Sequence, residues 1–176
     1  MRSSGAQMSF NIECLREKDV EESAKAILQF LKPLGGQLPP FLQDSKSIGR
    51  MIFGPHAVTL IARRDEKIVG IISGIVLRQT IGEMTAPQPR IELMISDAEC
   101  AKEHLDSKLV GKFLEQVKSQ FPNAPAVETT LPVPIPEAYS SNGFAFAGFF
   151  KGAFQGREAF TVILRKQLSR SNTPVM

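Results

Sequence analysis

An α+β fold, a central mixed but mostly antiparallel sheet of six to seven strands flanked by about four helices, is the architecture that these 176 residues predict. Three observations lead there. Two β-branched runs, 57–63 (AVTLIAR) and 67–77 (KIVGIISGIVL), are joined by Arg64-Asp65-Glu66 in the pattern of an antiparallel hairpin. A strand, a polar loop, an amphipathic helix and another strand follow between residues 90 and 131. A last pair of strand-like runs closes the chain as a second hairpin.

Taken in order, residues 10–15 (FNIECL) alternate apolar and polar and predict a first strand. Asp19 is a good N-cap for the helical periodicity that follows through Leu31, and Lys32-Pro33 with Gly35-Gly36 ends it in a loop. A short helix is expected over 45–53, then the 57–77 hairpin, whose strands are central. Ala86-Pro87-Gln88-Pro89 reads as a Pro-rich turn leading to a strand at 90–96 (RIELMIS). Beyond a polar loop, Leu109, Phe113, Leu114, Val117 and Phe121 recur at helical spacing; Asp106 is the expected N-cap and Pro122-Asn123 the stop. A strand at 126–131, a rigid connector at 132–136 and a short helix at 137–142 capped by Gly143 precede the final hairpin, 144–154 with 158–165. One domain at 10–168 is expected, with a flexible leader at 1–9 and a flexible tail at 169–176.

The composition, 43% hydrophobic and 22% charged, suits one domain with a sizeable core. No apolar run approaches the roughly 20 residues that span a bilayer, and residues 1–8 lack the apolar core of a secretory signal. The expected setting is the cytoplasm, without a membrane partner. Cys14 and Cys100 lie far apart, with no second Cys or His at ligand spacing, so neither a disulfide nor a metal site is expected. A net charge of +3 tolerates anionic ligands, but basic and acidic residues alternate, and nucleic acid is not the expected partner.

The most specific stretch is Tyr139-Ser140-Ser141-Asn142-Gly143-Phe144, which sets the only tyrosine before a Gly-Phe pair that opens a strand. From spacing alone Tyr139 is equally an aromatic anchor for a short helix, and Gly143 needs no role beyond its cap. His56 and His104 are isolated and read as ordinary imidazoles.

The element order, with Lys67-Ile68-Val69-Gly70, the strand at 90–96 and the Tyr-x-x-x-Gly-Phe stretch, resembles the GNAT superfamily of acyl-CoA N-acyltransferases over nearly the whole chain. The resemblance implies that the fourth and fifth strands splay apart around the pantetheine arm of acetyl-CoA as cosubstrate. It also implies that Met94, Ile95 and Ser96 offer backbone contacts and that Tyr139 is the general acid. Amine attack on a thioester needs a proton donor for the departing thiolate, and a phenol near pKa ~10 holds its proton at neutral pH. The amine must lose a proton first; Glu92, in the fourth strand, is the candidate base.

The sequence departs from the family at the start of the long helix. Family members carry an Arg/Gln-x-x-Gly-x-Gly/Ala loop whose backbone N–H groups hold the CoA pyrophosphate. Here that stretch is Leu105-Asp106-Ser107-Lys108-Leu109-Val110, without a glycine. Lys102, Ser107, Lys108 and Leu109 are the candidate replacements. Two readings follow: an N-acetyltransferase acting on a small-molecule or protein amine, or a catalytically inactive GNAT-fold binding or assembly module. The final hairpin offers an edge for a homodimer.

Overall fold

The computed structural model describes residues 10–15, 20–37, 45–54, 56–154 and 157–168. The expected leader, the expected tail and Asp19 lie outside the described residues. Along the chain run β1 (Asn11–Cys14), α1 (Val20–Leu31), a 3-10 turn (Lys32–Gln37), α2 (Ser45–Phe53), β2 (Ala57–Arg64), β3 (Lys67–Ile81) and β4 (Met84–Ser96). Then come α3 (Ala98–Ala101), α4 (Leu105–Gln120), β5 (Ala126–Pro132), α5 (Glu137–Ser141), β6 (Ala145–Phe154) and β7 (Arg157–Gln167). The seven strands form one sheet in the order β1-β2-β3-β4-β5-β7-β6. Every adjacent pair is antiparallel except β4 and β5. The crossover from β4 to β5 runs through α4, as a parallel pair requires.

Four local expectations are corrected. Ala86-Pro87-Gln88-Pro89 is strand, not turn: Pro87 stands opposite Arg78 and Pro89 opposite Val76. β5 pairs with β4 at Arg90 and Ile91, so among the described residues the earlier part of β4 has no strand on that side, where a missing N–H costs no ladder bond. Gly35-Gly36 belongs to a 3-10 turn that continues α1. The loop before α4 contains α3, whose first N–H groups are capped by the Asp97 carboxylate at 3.0 and 3.3 Å. Asp106 is not the cap of α4: it lies inside the first turn, and the cap position is His104, in the left-handed region with φ 61° and no side-chain capping bond.

Alternation sends the strands' side chains into two cores. On one face Val58, Leu60, Ala62, Ile72 and Val76 pack with Leu109, Phe113 and Val117 of α4. On the other, Ile61 and Ile71 meet Ile27 and Leu31 of α1 and Ile48 and Ile52 of α2. The apolar stripe of α4 recurs every four residues, Leu105, Leu109, Phe113 and Val117, all fully buried. β3 presents glycines beneath it. A Cβ at Gly70 would come within 3.0 Å of Leu105 and Leu109, and one at Gly74 within 2.7 Å of Phe113. The absence of those two side chains lets the helix lie close to the sheet.

One irregularity in β4 matters for the site. Ser73 pairs with Leu93 but Gly74 pairs with Ile91, so Glu92 is an extra residue, a β-bulge. The bulge reverses the alternation. Ile91 belongs to the α4 core, whereas Leu93 and Ile95, which would otherwise share its face, pack with the α1 and α2 core.

Candidate active site

The ladder between β4 and β5 has two rungs, Arg90 opposite Glu128 and Ile91 opposite Thr129. Beyond them residues 92–96 of β4 and 130–132 of β5 have no cross-strand pairing with each other, and the two strands form an open fork. Each is held from its outer side. Met94, Ile95 and Ser96 pair with Ile72, Ile71 and Gly70 of β3, while β5 is zipped to β7 along its whole length.

Thr129 marks the vertex of the fork. Its hydroxyl donates to the Ile91 carbonyl at 3.2 Å, stitching the last shared rung. Tyr139 reaches the same point from α5, with the Thr129 side chain beside its phenol. The ring is 1% exposed and meets Phe144 edge to face, with centroids 5.4 Å apart at 88°. Burial pushes the phenol up to about 12; the neighbouring Thr129 side chain opposes the shift and the negative charge of Asp106 adds to it. Gly143, at φ +76°, turns the chain from α5 into Phe144 and so fixes this aromatic pair.

Glu92 lies on the bulge beside the vertex, with about a third of its side chain exposed. Burial raises its carboxyl above the ordinary range, and the Arg90 guanidinium, 3.0 Å away, opposes the shift. Cross-strand partners share a face, so Arg90, Glu128 and Arg165 form one row on the side opposite Ile91, Thr129 and Leu164. Arg165 pairs with Glu128, Gln88 donates to Glu128 at 2.7 Å, and Arg90 donates to Thr130 at 3.3 Å. The phenol and the Arg90–Glu92 pair thus flank the same two rungs from the two sides of the sheet.

A crevice of about 180 Å³ separates the start of α4 from α5, lined by Ala101, His104, Asp106, Ser107, Glu137 and Ser141 among others. Its walls are tied together. The Ser107 and Ser141 hydroxyls are 2.8 Å apart, and the Asn142 amide donates to the Ser107 carbonyl at 3.0 Å. Among the described residues, Asp106 Oδ1 has no hydrogen-bond partner and is buried there.

Of the residues expected to hold a cofactor, Ser107 lines the crevice. Lys102 is instead ion-paired with Glu99 at 2.7 Å, and Lys108 lies 4.7 Å from the Phe10 ring, beside Arg64. The Leu109 side chain is wholly in the core, so only its backbone is available. Met94 packs at the edge of the α4 core and Ile95 on the opposite side. Thr129, Asp106, Ser141 and Asn142 carry the geometry of the site but were not singled out from the sequence as its residues. The pairing of Asn142 with Ser107, 35 positions apart, has no local signature. Among the described residues no group of three or more His, Cys, Asp or Glu side chains is placed to hold a metal ion.

No family model and no curated protein sequence matches this chain. Its structure, in contrast, matches many solved ones. A GNAT-family acetyltransferase from Streptococcus pneumoniae superposes with a TM-score of 0.70 at 15% identity, covering 92% of this chain and 100% of that one. Arabidopsis thaliana NAA60 in complex with a bisubstrate analogue gives 0.69 at 12% identity, covering 93% and 100%. An aminoglycoside 6'-N-acetyltransferase complexed with coenzyme A gives 0.67 at 12%, covering 89% and 96%. A seven-stranded mixed sheet flanked by helices, superposing on these acetyltransferases over about nine-tenths of the chain, gives this chain the GNAT fold.

Proposed function

We propose that the chain is an acyl-CoA-dependent N-acyltransferase that moves an acetyl group from acetyl-CoA to a primary amine, carried by a small molecule or a protein. The observation that carries this reading is the fork between β4 and β5 with the buried Tyr139 phenol beside Thr129 at its vertex. In the reaction Glu92 accepts a proton from the acceptor's ammonium group, directly or through water. The freed nitrogen lone pair attacks the thioester carbon, and the tetrahedral oxyanion collapses with cleavage of the C–S bond. Tyr139 donates its proton to the departing thiolate, and the second proton shed by the acylated nitrogen restores the phenol, directly or through water. The raised pKa of the phenol keeps that proton in place at neutral pH. Met94, Ile95 and Ser96 flank the pantetheine arm. The diphosphate falls to first-turn N–H groups of α4 and the Ser107 hydroxyl, without a lysine. The setting in this reading is the cytoplasm and the assembly a homodimer; no helix among the described residues is long and apolar enough to cross a membrane.

A second reading, a GNAT-fold binding module without catalysis, is favoured by the crevice. Ser107, Ser141 and Asn142 satisfy one another across it, and the carboxylates of Asp106 and Glu137 line it. Acetyl-CoA decides between the two. The expected outcome is that about 1 mM acetyl-CoA raises Tm by several degrees and that Tyr139→Phe lowers kcat about 100-fold while calorimetric Kd stays within about twofold. No thermal shift and no binding heat overturns the first reading; recovery of a stoichiometric protein partner by pull-down then favours the second.

A further inference from the structure

The two edges of the sheet are built differently. β1, at one end, is four residues long and is crossed by the Glu13–Arg63 ion pair at 2.8 Å. β6, at the other, is ten residues long, and its first seven residues, AFAGFFK, contain no proline and one charge, Lys151. A long apolar edge strand exposes unpaired N–H and C=O groups that folded proteins otherwise shorten, charge or cover.

The side chains on this edge are equally unusual for a surface. Phe146, Phe149 and Phe160 are 62%, 67% and 59% exposed. Register puts them on one face: Phe146 stands opposite Leu164, Phe149 opposite Val162, and Lys151 opposite Phe160, with Ala147 as an extra residue on β6. That face is the one through which Val162 and Leu164 enter the α4 core. Phe146 and Phe149 already stack on each other, with centroids 6.4 Å apart at 27°. Phe150, opposite Thr161, is exposed on the other face.

We infer that β6 is the self-association edge of this protein, pairing antiparallel with β6 of a second copy about a two-fold axis to continue the sheet to fourteen strands. A second copy fits better than an unrelated chain for two reasons. An antiparallel strand paired with itself satisfies both copies' edge groups with one sequence and forms a closed, isologous contact. With one charge in seven residues, the edge meets its own copy without a row of like charges in opposition. The area is also of the right order. Four phenyls of about 200 Å² at these exposures offer roughly 450 Å², about half of the ~800 Å² that each partner of a stable pair buries, and the strand backbone with its neighbours supplies the remainder. This inference is independent of the proposed acyl transfer and stands or falls by mass alone.

The test is sedimentation velocity of the full chain from about 1 to 100 µM, with thermal melts to check folding. The wild type is expected at twice the 19.4 kDa chain mass. The double variant F146E/F149E is expected to be a monomer with an unchanged circular dichroism spectrum and a dissociation constant at least 100-fold weaker. Leu77→Glu, which removes an exposed leucine from the β3–β4 hairpin, is expected to remain dimeric. Should the double variant fail to fold, hydrogen exchange of the wild type replaces it, and β6 amides are expected to gain protection with concentration. A wild-type monomer at 100 µM, open-ended oligomers, a dimeric F146E/F149E, loss of the dimer in Leu77→Glu, or β6 amides indifferent to concentration each overturns the inference.

Discussion

Tyr139 is the one phenol of a chain that has no tryptophan, so its ionisation is directly visible in the ultraviolet. Burial holds it at about 12 against an ordinary 10. Between those values the unfolded chain has released the proton and the folded chain retains it. Its contribution to stability is therefore complete below pH 10 and lost as pH rises through 12. Two units correspond to roughly 3 kcal/mol. Tyr139→Phe is expected to remove this alkaline slope while changing stability at pH 7 by less than about 1.5 kcal/mol, because the ring keeps its packing on Phe144. Phenolate absorbance and urea midpoints across pH 9 to about 12 check it; a wild-type phenol titrating near its ordinary value contradicts the buried geometry. Both candidate catalytic residues could be named from sequence, because Tyr139 sits in a spaced motif and Glu92 in a strand. The partner Thr129 could not, since nothing in AVETTL distinguishes a threonine at a fork vertex from one on any strand.

The glycines separate two kinds of position at the level of elements. Gly74 lies under α4 at the bulge, where a Cβ would run into the Arg90 carbonyl oxygen and the Phe113 ring. Gly49, within α2, has nothing within 4 Å of the place a Cβ would take. Gly74→Ala is expected to destabilise by about 3 kcal/mol, because neither backbone nor buried ring can yield. Gly49→Ala is expected to stabilise by about 0.5–1 kcal/mol through helix propensity. Urea denaturation at constant m value reads both, and equal effects would refute the close approach of α4. Helices and strands with clean periodicity, such as α2, α4 and the β2–β3 hairpin, could be placed from sequence alone. The Pro-rich part of β4 could not, because a proline is excluded only where its N–H is needed and strand order decides that. The Glu92 bulge was hidden for a related reason: RIELMIS alternates well enough to conceal one inserted residue.

Across the whole molecule the two cores are unequal. Among the described residues, twenty-one buried side chains join the α4 face and six join the α1 and α2 face. Opening energy follows buried apolar contact, so the thinner layer is the one that opens first. Hydrogen exchange is expected to show α4 amides exchanging only through global unfolding, and α1 and α2 amides at least 10-fold faster. Equal rates in the two layers would mean that the molecule opens as one unit. The sequence could show that both layers exist; their inequality depends on how many strands each covers, which only the assembled sheet defines.

The reversed alternation of β4 also bears on how this chain is compared with others. Upstream of Glu92 odd-numbered positions look toward α4, and downstream they look toward α1 and α2, so the strand changes phase at one residue. A residue-by-residue alignment to a chain with an uninterrupted strand is correct on only one side of that point. A one-residue gap at position 92 restores the equivalence, and without it interior leucines are matched to residues of the opposite layer.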